Sequence, residues 1–175
     1  MVGEQDFHRV EMQIDFFLTS IVTFLSKNSN FKELCKSKQF QVIKDNDNNL
    51  VGISLKIKKL YLIMDSSGKY YVDLDQDIKS KGDHCISKKF SNQVISSEDE
   101  EDYIRLDFKP NLEFPNYHIN VSEKKFGKHH YIYPTDTKLD ISRTNPIASL
   151  NIFQKYIKTG YHPISCEHEY LMFLK

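Results

Sequence analysis

Four polar residues at strand spacing are the best candidates for chemistry in this chain. Arg105 and Asp107 alternate with apolar residues in one short segment, and His118 and Asn120 do so in the next. Side chains two positions apart lie on the same face of a β-strand, so each pair shares a face. We expect the two strands to be neighbours, with Arg105 and Asp107 facing His118 and Asn120. Such a group forms either a polar site or a buried hydrogen-bonded network.

Asp107, Lys109 and His118 form the candidate catalytic set. Asp107-x-Lys109 matches the (Asp/Glu)-x-Lys half-motif of metal-dependent nucleases, in which the carboxylate holds a divalent ion and the lysine stabilises developing charge. His118 could act as a general base or acid near neutral pH, and Arg105 could bind a phosphate or carboxylate. A metal-dependent nuclease or phosphodiesterase is therefore one hypothesis. The alternative is a structural network in which Asp107 orients His118.

A basic and aromatic segment follows the second strand. It contains Lys124, Lys125, Lys128, His129 and His130, with Phe126 and Tyr131 between them. A hairpin tip of this composition can contact phosphates and stack on bases. Residues 124–130 therefore give a second alternative, a nucleic-acid-binding module.

Two other polar clusters lack the pattern of a metal site. Asp73-x-Asp75-x-Asp77 opens like a calcium-binding loop, but the glycine at the sixth position and the glutamate at the twelfth are missing. The three cysteines include no pair of the Cys-x-x-Cys kind that structural zinc sites use. The sequence therefore predicts no metal and no cofactor.

Composition limits the class of protein. The chain has 175 residues, with 24 lysines and arginines against 24 aspartates and glutamates, so no global charge attracts it to nucleic acid or membrane. Its length predicts a single domain over residues 1–175. The odd number of widely spaced cysteines, and the lack of an N-terminal apolar segment, predict a reducing cytoplasm. No run of about 20 apolar residues predicts a membrane span.

The first half of the chain supplies the predicted N-terminal helix and a hairpin. Apolar residues recur at intervals of three and four over residues 7–25, which predicts an amphipathic helix, and residues 31–38 predict a short second helix. Alternation over residues 51–58 resumes at residues 70–74 after a turn signal at residues 65–68, which predicts a hairpin. The charged interval over residues 75–102 is interpreted as loop, with a solvated acidic run at residues 96–102.

The second half predicts three more strands and a closing helix. The strands are expected at residues 103–108, 117–122 and 129–133, with Pro110 and Pro115 bounding the first loop. Asn145 is expected to cap a helix that begins at Pro146, and Gly160 to end it. The predicted fold is therefore α+β: an antiparallel β-sheet of about five or six strands with an N-terminal and a C-terminal helix packed on it.

Residues 102–157 also follow a longer pattern. It consists of an Arg-x-Asp-aromatic strand, a Pro-x-x-His strand with a polar residue two positions on, a strand ending in x-Pro, and a helix opening near a proline. The residues that carry it are Arg105, Asp107, Phe108, Pro115, His118, Asn120, Pro134, Pro146, Phe153 and Ile157. In this pattern the chain resembles a bacterial family of domains of unknown function, the 2290 family. The resemblance implies a bacterial cytoplasmic protein, often encoded near phage-defence or other mobile cassettes, with no assigned activity.

The preferred functional hypothesis is a non-enzymatic binding or assembly subunit of a bacterial multi-protein complex, in phage defence. No nucleotide-binding loop or nucleophile–base pair stands out, while 12 Phe and 10 Tyr give the chain a high aromatic content that also favours interfaces. A protein partner is expected, nucleic acid is the second candidate, and a membrane is not expected. The predicted binding residues are Arg105, Asn120, Lys124, Lys125, Lys128 and His129.

Overall fold

The computed structural model describes residues 7–65, 67–110 and 115–175. The strands within them are β1 His8–Val10, β2 Phe40–Lys44, β3 Leu50–Leu60, β4 Tyr70–Lys81, β5 His84–Ser96, β6 Tyr103–Phe108, β7 Tyr117–Val121 and β8 His130–Tyr131. The helices are α1 Ile14–Asn28, α2 Phe31–Lys36, α3 Glu123–Phe126 and α4 Pro146–Thr159. The predicted α+β class is confirmed, but the predicted five or six strands were too few.

All strands belong to one antiparallel sheet. Seven of them follow the order β2-β3-β4-β5-β6-β7-β8, so these seven strands lie side by side in the order in which they occur in the chain. The eighth strand, β1, pairs with the first part of β5, where Val10 lies opposite Cys85. β6 pairs with the rest of β5, from Phe90 opposite Phe108 onward. β1 and β6 therefore continue each other along one edge of the long strand β5.

One face of the sheet is covered by helices. α1 lies against β3, and α4 lies against β4 and β5. Their buried side chains, such as Phe17, Ile21 and Phe153, join sheet residues such as Leu55 and Leu74 in one apolar core. This packing buries one stripe of each helix and alternate positions of each strand, as the sequence periodicity predicts.

The other face, which we call the polar face, carries the alternate positions of the same strands. Over β3 and β4 these positions hold charged side chains that remain accessible, among them Lys56, Asp75 and Asp77. Lys56 Nζ lies 2.7 Å from Asp75 Oδ1 and 3.0 Å from Asp77 Oδ2, so neighbouring strands are bridged by ion pairs. The candidate residues of β6 and β7 lie on this face.

The N-terminal helix begins later than predicted. Residues 7–25 were predicted as helix, but His8–Val10 form β1 and the helix runs from Ile14 to Asn28. Val10 and Ile14 are four positions apart and both buried, so the apolar stripe continues across the break. Periodicity alone could not separate a short buried strand from the helix that follows it.

The interpretation of residues 75–102 as loop was wrong over most of that interval. The interval contains the second half of β4 and all of β5. Gln76 and Asn92 occupy buried positions on the helix-covered side, while the opposite face is polar. Polar residues therefore occupy both faces, and the alternation that marks a strand is interrupted.

The closing helix follows its predicted caps. Oδ1 of Asn145 accepts hydrogen bonds from the backbone N–H groups of Ile147 and Ala148, both at 2.9 Å. Gly160 ends the helix with a φ of 70°, a left-handed conformation that glycine adopts without steric cost. Within the described part of the chain, no helix combines the length and the apolar content that a membrane crossing needs.

Candidate functional site on the polar face

The four polar residues of β6 and β7 meet as predicted. Arg105 lies opposite Asn120 and Asp107 lies opposite His118 in the antiparallel register. Nε of Arg105 and Nδ2 of Asn120 donate hydrogen bonds to Oδ2 of Asp107, at 2.9 Å and 2.8 Å. The cross-strand pairing predicted from the alternation is confirmed, and its focus is one carboxylate oxygen.

Two more side chains reach the same oxygen. Lys109 Nζ lies 3.1 Å from Oδ2 of Asp107, and His118 Nε2 lies 3.5 Å from it. The side chain of Asp107 is completely buried, whereas 31% of Arg105 and 36% of Lys109 remain accessible. The carboxylate therefore lies beneath a layer of cationic side chains. The side chains of Arg105 and Lys109 extend from this carboxylate to the solvent.

The surroundings keep Asp107 ionised. Burial by itself would raise the pKa of Asp107. This effect is outweighed by the hydrogen bond from His118, the charges of Arg105 and Lys109 and the Ser91 hydroxyl, which together hold the pKa well below its usual value. Ser91 lies opposite Asp107 on β5. Oδ1 of Asp107 has no hydrogen bond of good geometry within the described residues, so the stabilisation is concentrated at Oδ2.

His118 is fixed from three sides. Its Nδ1 lies 3.1 Å from the carbonyl oxygen of Pro115, while its Nε2 faces Asp107. Both of these groups are acceptors, so only the imidazolium form donates from both nitrogens at once. The His130 ring packs edge-on against it, with 5.0 Å between ring centroids. Burial, together with the charges of His129, His118 and Arg105, lowers the pKa of His130.

This arrangement fits a structural network better than a catalytic metal site. A divalent ion needs a carboxylate oxygen that faces an open position. Oδ2 of Asp107 accepts hydrogen bonds from Arg105 and Asn120, and the positive charges of Arg105 and Lys109 beside it would repel the ion. Asp73 and Asp75, the guessed second ligands, lie on β4, with the whole of β5 between them and β6, and pair with lysines of β3. Among the residues that the structure describes, no three metal-ligating side chains cluster.

The basic segment at residues 124–130 is largely compensated by acidic partners. It holds the short helix α3 rather than a simple hairpin tip. Lys125 Nζ lies 2.7 Å from Asp99, and Lys128 forms an ion pair with Asp136. Nδ1 of His129 lies 3.0 Å from the Val121 carbonyl oxygen. Lys124 is exposed, and its charge helps to lower the pKa of Asp99.

A second carboxylate, the half-buried Asp102, joins α4 to the sheet. Tyr70 OH donates to Oδ2 of Asp102 at 2.8 Å, and Tyr156 OH donates to Oδ1. Burial, and then the hydrogen bond to Asp102, raise the pKa of Tyr70 to about 12. Asp102 was predicted only as part of a solvated acidic run. Its structural role depends on the distant residues Tyr70 and Tyr156, which no local pattern connects to it.

Two surfaces of the polar face were not predicted. One is a groove lined by Lys56, Asp77, Lys79, Lys88, Lys89, Lys109 and Pro110, which we call the lysine groove. The other is a pair of accessible tyrosines, Tyr61 and Tyr71, which we call the tyrosine patch. Most groove residues lie in the interval interpreted as loop. The Lys88-Lys89 doublet was the only local signal, and doublets of this kind are common on surfaces.

Comparison with known proteins yields no assignment. A scan against protein-family models found no match, and searches of curated proteins and of solved structures also found none. The resemblance to the 2290 family therefore stays a prediction, and function has to be argued from the surfaces of the molecule.

Proposed function

We propose that this protein is a non-enzymatic binding protein that uses its polar face to dock a partner protein. The observation that carries the proposal is the tyrosine patch at one end of this face. Tyr61 is 47% exposed and its ring centroid lies 6.1 Å from that of Tyr71. Tyrosine supplies a large contact area at low entropic cost and is enriched where proteins bind one another.

The position of the patch makes it suitable for docking. Tyr71 lies on β4. Its neighbour Val72 is buried, and the backbone hydrogen bonds between β4 and β5 hold this part of the strand in place. Tyr61 directly follows β3, whose last paired residue, Leu60, is buried opposite Val72. Both tyrosines are thus held beside paired strand residues at this end of the face, so few further groups lose freedom when a partner docks.

The charge around the tyrosine patch indicates the chemistry of the partner. Glu98 and Glu100 lie in the exposed β5–β6 turn and form no ion pair within the described residues. The pKa of Tyr71 is raised mainly by burial. The charge of Asp73, the electrostatic interaction with Tyr61 and the charge of Glu100 raise it further. An apolar pair flanked by uncompensated carboxylates favours a protein segment that carries an apolar anchor beside lysine or arginine.

The Asp107 network supports a binding role for the face as a whole. The buried carboxylate of Asp107 holds β6 and β7 in register through Oδ2 and fixes the orientation of the partly accessible Arg105. A pre-organised polar surface loses little entropy when a partner docks. The competing hypothesis is a metal-dependent nuclease or phosphodiesterase, and it rests on Asp107, Lys109 and His118 meeting at one oxygen.

The docking proposal is tested by selecting peptides from a displayed random library on the full chain. We expect enrichment of peptides with an aromatic or aliphatic anchor next to lysine or arginine. Their affinity should fall about tenfold or more for the double variant Tyr61→Ala and Tyr71→Ala. Phe16→Ala is the matched control, because Phe16 is a 63% exposed aromatic residue on α1. Peptides that bind the double variant as well as wild type would refute docking at the tyrosine patch.

The enzymatic alternative is tested separately with single- and double-stranded DNA and RNA in the presence of Mg²⁺ or Mn²⁺. We expect no cleavage above buffer for wild type. Cleavage that is lost in Asp107→Asn and in His118→Ala, with both variants folded, would replace the binding proposal by the nuclease hypothesis.

A further inference from the structure

The lysine groove concentrates positive charge on a nearly neutral protein. It encloses about 570 Å³, and its described lining residues include five lysines against a single aspartate. The whole chain has equal numbers of acidic and basic residues, so this concentration is local. The groove lies at the end of the polar face where β4 ends, β5 begins and β6 ends, away from the tyrosine patch.

A β-bulge explains how two adjacent lysines enter the same groove. Gln76 pairs with Phe90 and Ile78 pairs with Ser87, so Lys88 and Lys89 of β5 together oppose Asp77 of β4. In a regular strand, adjacent side chains point to opposite faces. The extra residue of a bulge breaks that alternation and redirects a side chain, and both lysines line the groove.

Three of these lysines form no ion pair within the described residues, although the charge of Lys89 helps to lower the pKa of Asp77. Lys56 pairs with Asp75 and Asp77, and Lys109 pairs with Asp107. Lys79, Lys88 and Lys89 are exposed and form no ion pair within the described residues. Like charges held close together repel one another, and a bound anion relieves this repulsion. The groove is therefore arranged for an anionic ligand.

We propose that the lysine groove binds the sugar-phosphate backbone of a nucleic acid without reading its sequence. Lysine acts as a compact point charge for phosphate, and the described residues of the lining include no aromatic side chain on which a base could stack. From β3 to β6 the groove crosses roughly 14 Å of sheet, at about 4.8 Å per strand. Measured along the axis of a duplex, that span corresponds to roughly four phosphates of one strand, at a rise of about 3.4 Å each.

An acidic protein segment is the competing occupant, and the lining disfavours it. Such a segment gains most of its affinity from apolar anchors in pockets. Among the lining residues that the structure describes, Pro110 is the one apolar residue, and the remaining apolar surface comes from lysine stems. The proposal extends the docking function to a second ligand at a separate set of residues. It does not depend on the tyrosine patch.

The test is fluorescence anisotropy of the full chain with labelled DNA and RNA of about 20 nucleotides, single-stranded and duplex. We expect binding whose affinity falls as salt rises, because phosphate contacts release counterions. The affinity of the double variant Lys88→Glu and Lys89→Glu should fall about tenfold or more, and Lys79→Glu should lower the affinity independently. The slope of log affinity against log salt concentration should become less steep by about one for each phosphate contact removed. Thermal unfolding confirms that each variant is folded.

The controls distinguish the groove from general electrostatics. Lys32→Glu with Lys138→Glu changes the same charge at two exposed lysines outside the groove, and should leave affinity within about twofold. An equal loss in this control, or a larger loss in Lys124→Glu than in the groove variants, would overturn the proposal. So would the absence of binding at low salt. If poly-aspartate displaced the oligonucleotide at equal charge concentration, the ligand would be an acidic peptide instead.

The groove experiment and the tyrosine-patch experiment fail separately. Groove variants retain Tyr61 and Tyr71, so peptide binding should persist in them. Patch variants retain all five groove lysines, so nucleic-acid binding should persist there. Loss of both ligands in one set of variants would indicate a single shared surface and would contradict the assignment of two sites.

Discussion

Nε2 of His118 lies 3.5 Å from Oδ2 of Asp107, at directly opposite positions of β7 and β6. The same oxygen accepts hydrogen bonds from Arg105 and Asn120. A histidine beside a carboxylate suggests an acid–base pair when only the sequence is known. The complete burial of Asp107 and its hydrogen bonds to Arg105 and Asn120 instead favour a structural role, since removing the carboxylate would leave Arg105 and Lys109 without their shared counter-charge.

Replacement of Asp107 by asparagine should therefore be costly. The variant leaves Arg105, Lys109 and His118 around a neutral amide, and we expect a loss of about 3 kcal/mol in the free energy of unfolding at pH 7. Urea unfolding measures it. The control is Asp75→Asn, which breaks an exposed pair with Lys56 and should cost at most about 1 kcal/mol. Equal losses in the two variants would show that the Asp107 network stabilises the fold no more than an exposed ion pair does.

The same variant should alter the stability at low pH. Because the folded-state pKa of Asp107 is depressed, its contribution is complete above the unfolded pKa of about 3.9 and is lost as the pH falls below that value. The stability difference between wild type and Asp107→Asn should hence be constant near neutrality and shrink in acid. A difference that grew as the pH fell would contradict the depressed pKa.

His8 should make the protein sensitive to mild acid. Burial lowers its pKa to about 4, against an opposing hydrogen bond to the Thr144 carbonyl oxygen at 2.7 Å. The unfolded chain binds this proton near pH 6.5, so the contribution of His8 is complete above pH 6.5 and is lost as the pH falls towards 4. The total effect is about 3 kcal/mol. His8→Phe, which retains an aromatic ring beside Phe90 and Phe108, should flatten the decline of stability between these pH values; an unchanged slope would refute the assignment.

The carboxylate of Asp102 should couple Tyr70 to Tyr156. Tyr156→Phe removes a hydrogen bond to a charged acceptor and should cost about 2 kcal/mol. Tyr70→Phe should cost a similar amount, and the double variant should deviate from additivity because both hydroxyl groups share one acceptor. Tyr133→Phe, at an exposed position, should change stability by no more than about 0.5 kcal/mol. Strict additivity in the double-mutant cycle would argue against a shared network.

Cys85 should be unreactive in the folded protein. It is fully buried beneath β1, and burial raises the pKa of its thiol to about 11, whereas Cys35 is exposed. In a variant carrying Cys35→Ser and Cys166→Ser, labelling by a thiol reagent should proceed only as fast as β1 and β5 open. Labelling at the rate measured in urea would mean that β1 does not protect this edge of β5.

The elements that were predicted well are those whose signals are local. Strand β6 is bounded by the same residues as predicted, because Arg105 and Asp107 alternate cleanly with apolar neighbours. The closing helix was predicted because Asn145, Pro146 and Gly160 act within one turn of its ends. The cross-strand group followed from these strands, since adjacent antiparallel strands bring their polar positions together.

The remaining features depend on distant residues. β5 was missed because Asn92, buried at 0% exposure, interrupts its apolar face and instead bonds Ser149 of α4. The lysine groove depends on the bulge at Lys88 and Lys89, and a bulge becomes visible only when the partner strand is known. The ion pairs that compensate Lys125 and Lys128 likewise come from Asp99 and Asp136, outside the basic segment itself.

The central claim is that the polar face, and not the helix-covered side, binds a partner protein. The most direct measurement is the affinity of a selected peptide for wild type, for the Tyr61→Ala and Tyr71→Ala double variant, and for Phe16→Ala. The account predicts a loss of about tenfold or more, at least ~1.4 kcal/mol, in the double variant and a change within about twofold in Phe16→Ala. Equal affinities for wild type and the double variant, or a loss confined to Phe16→Ala, would contradict it.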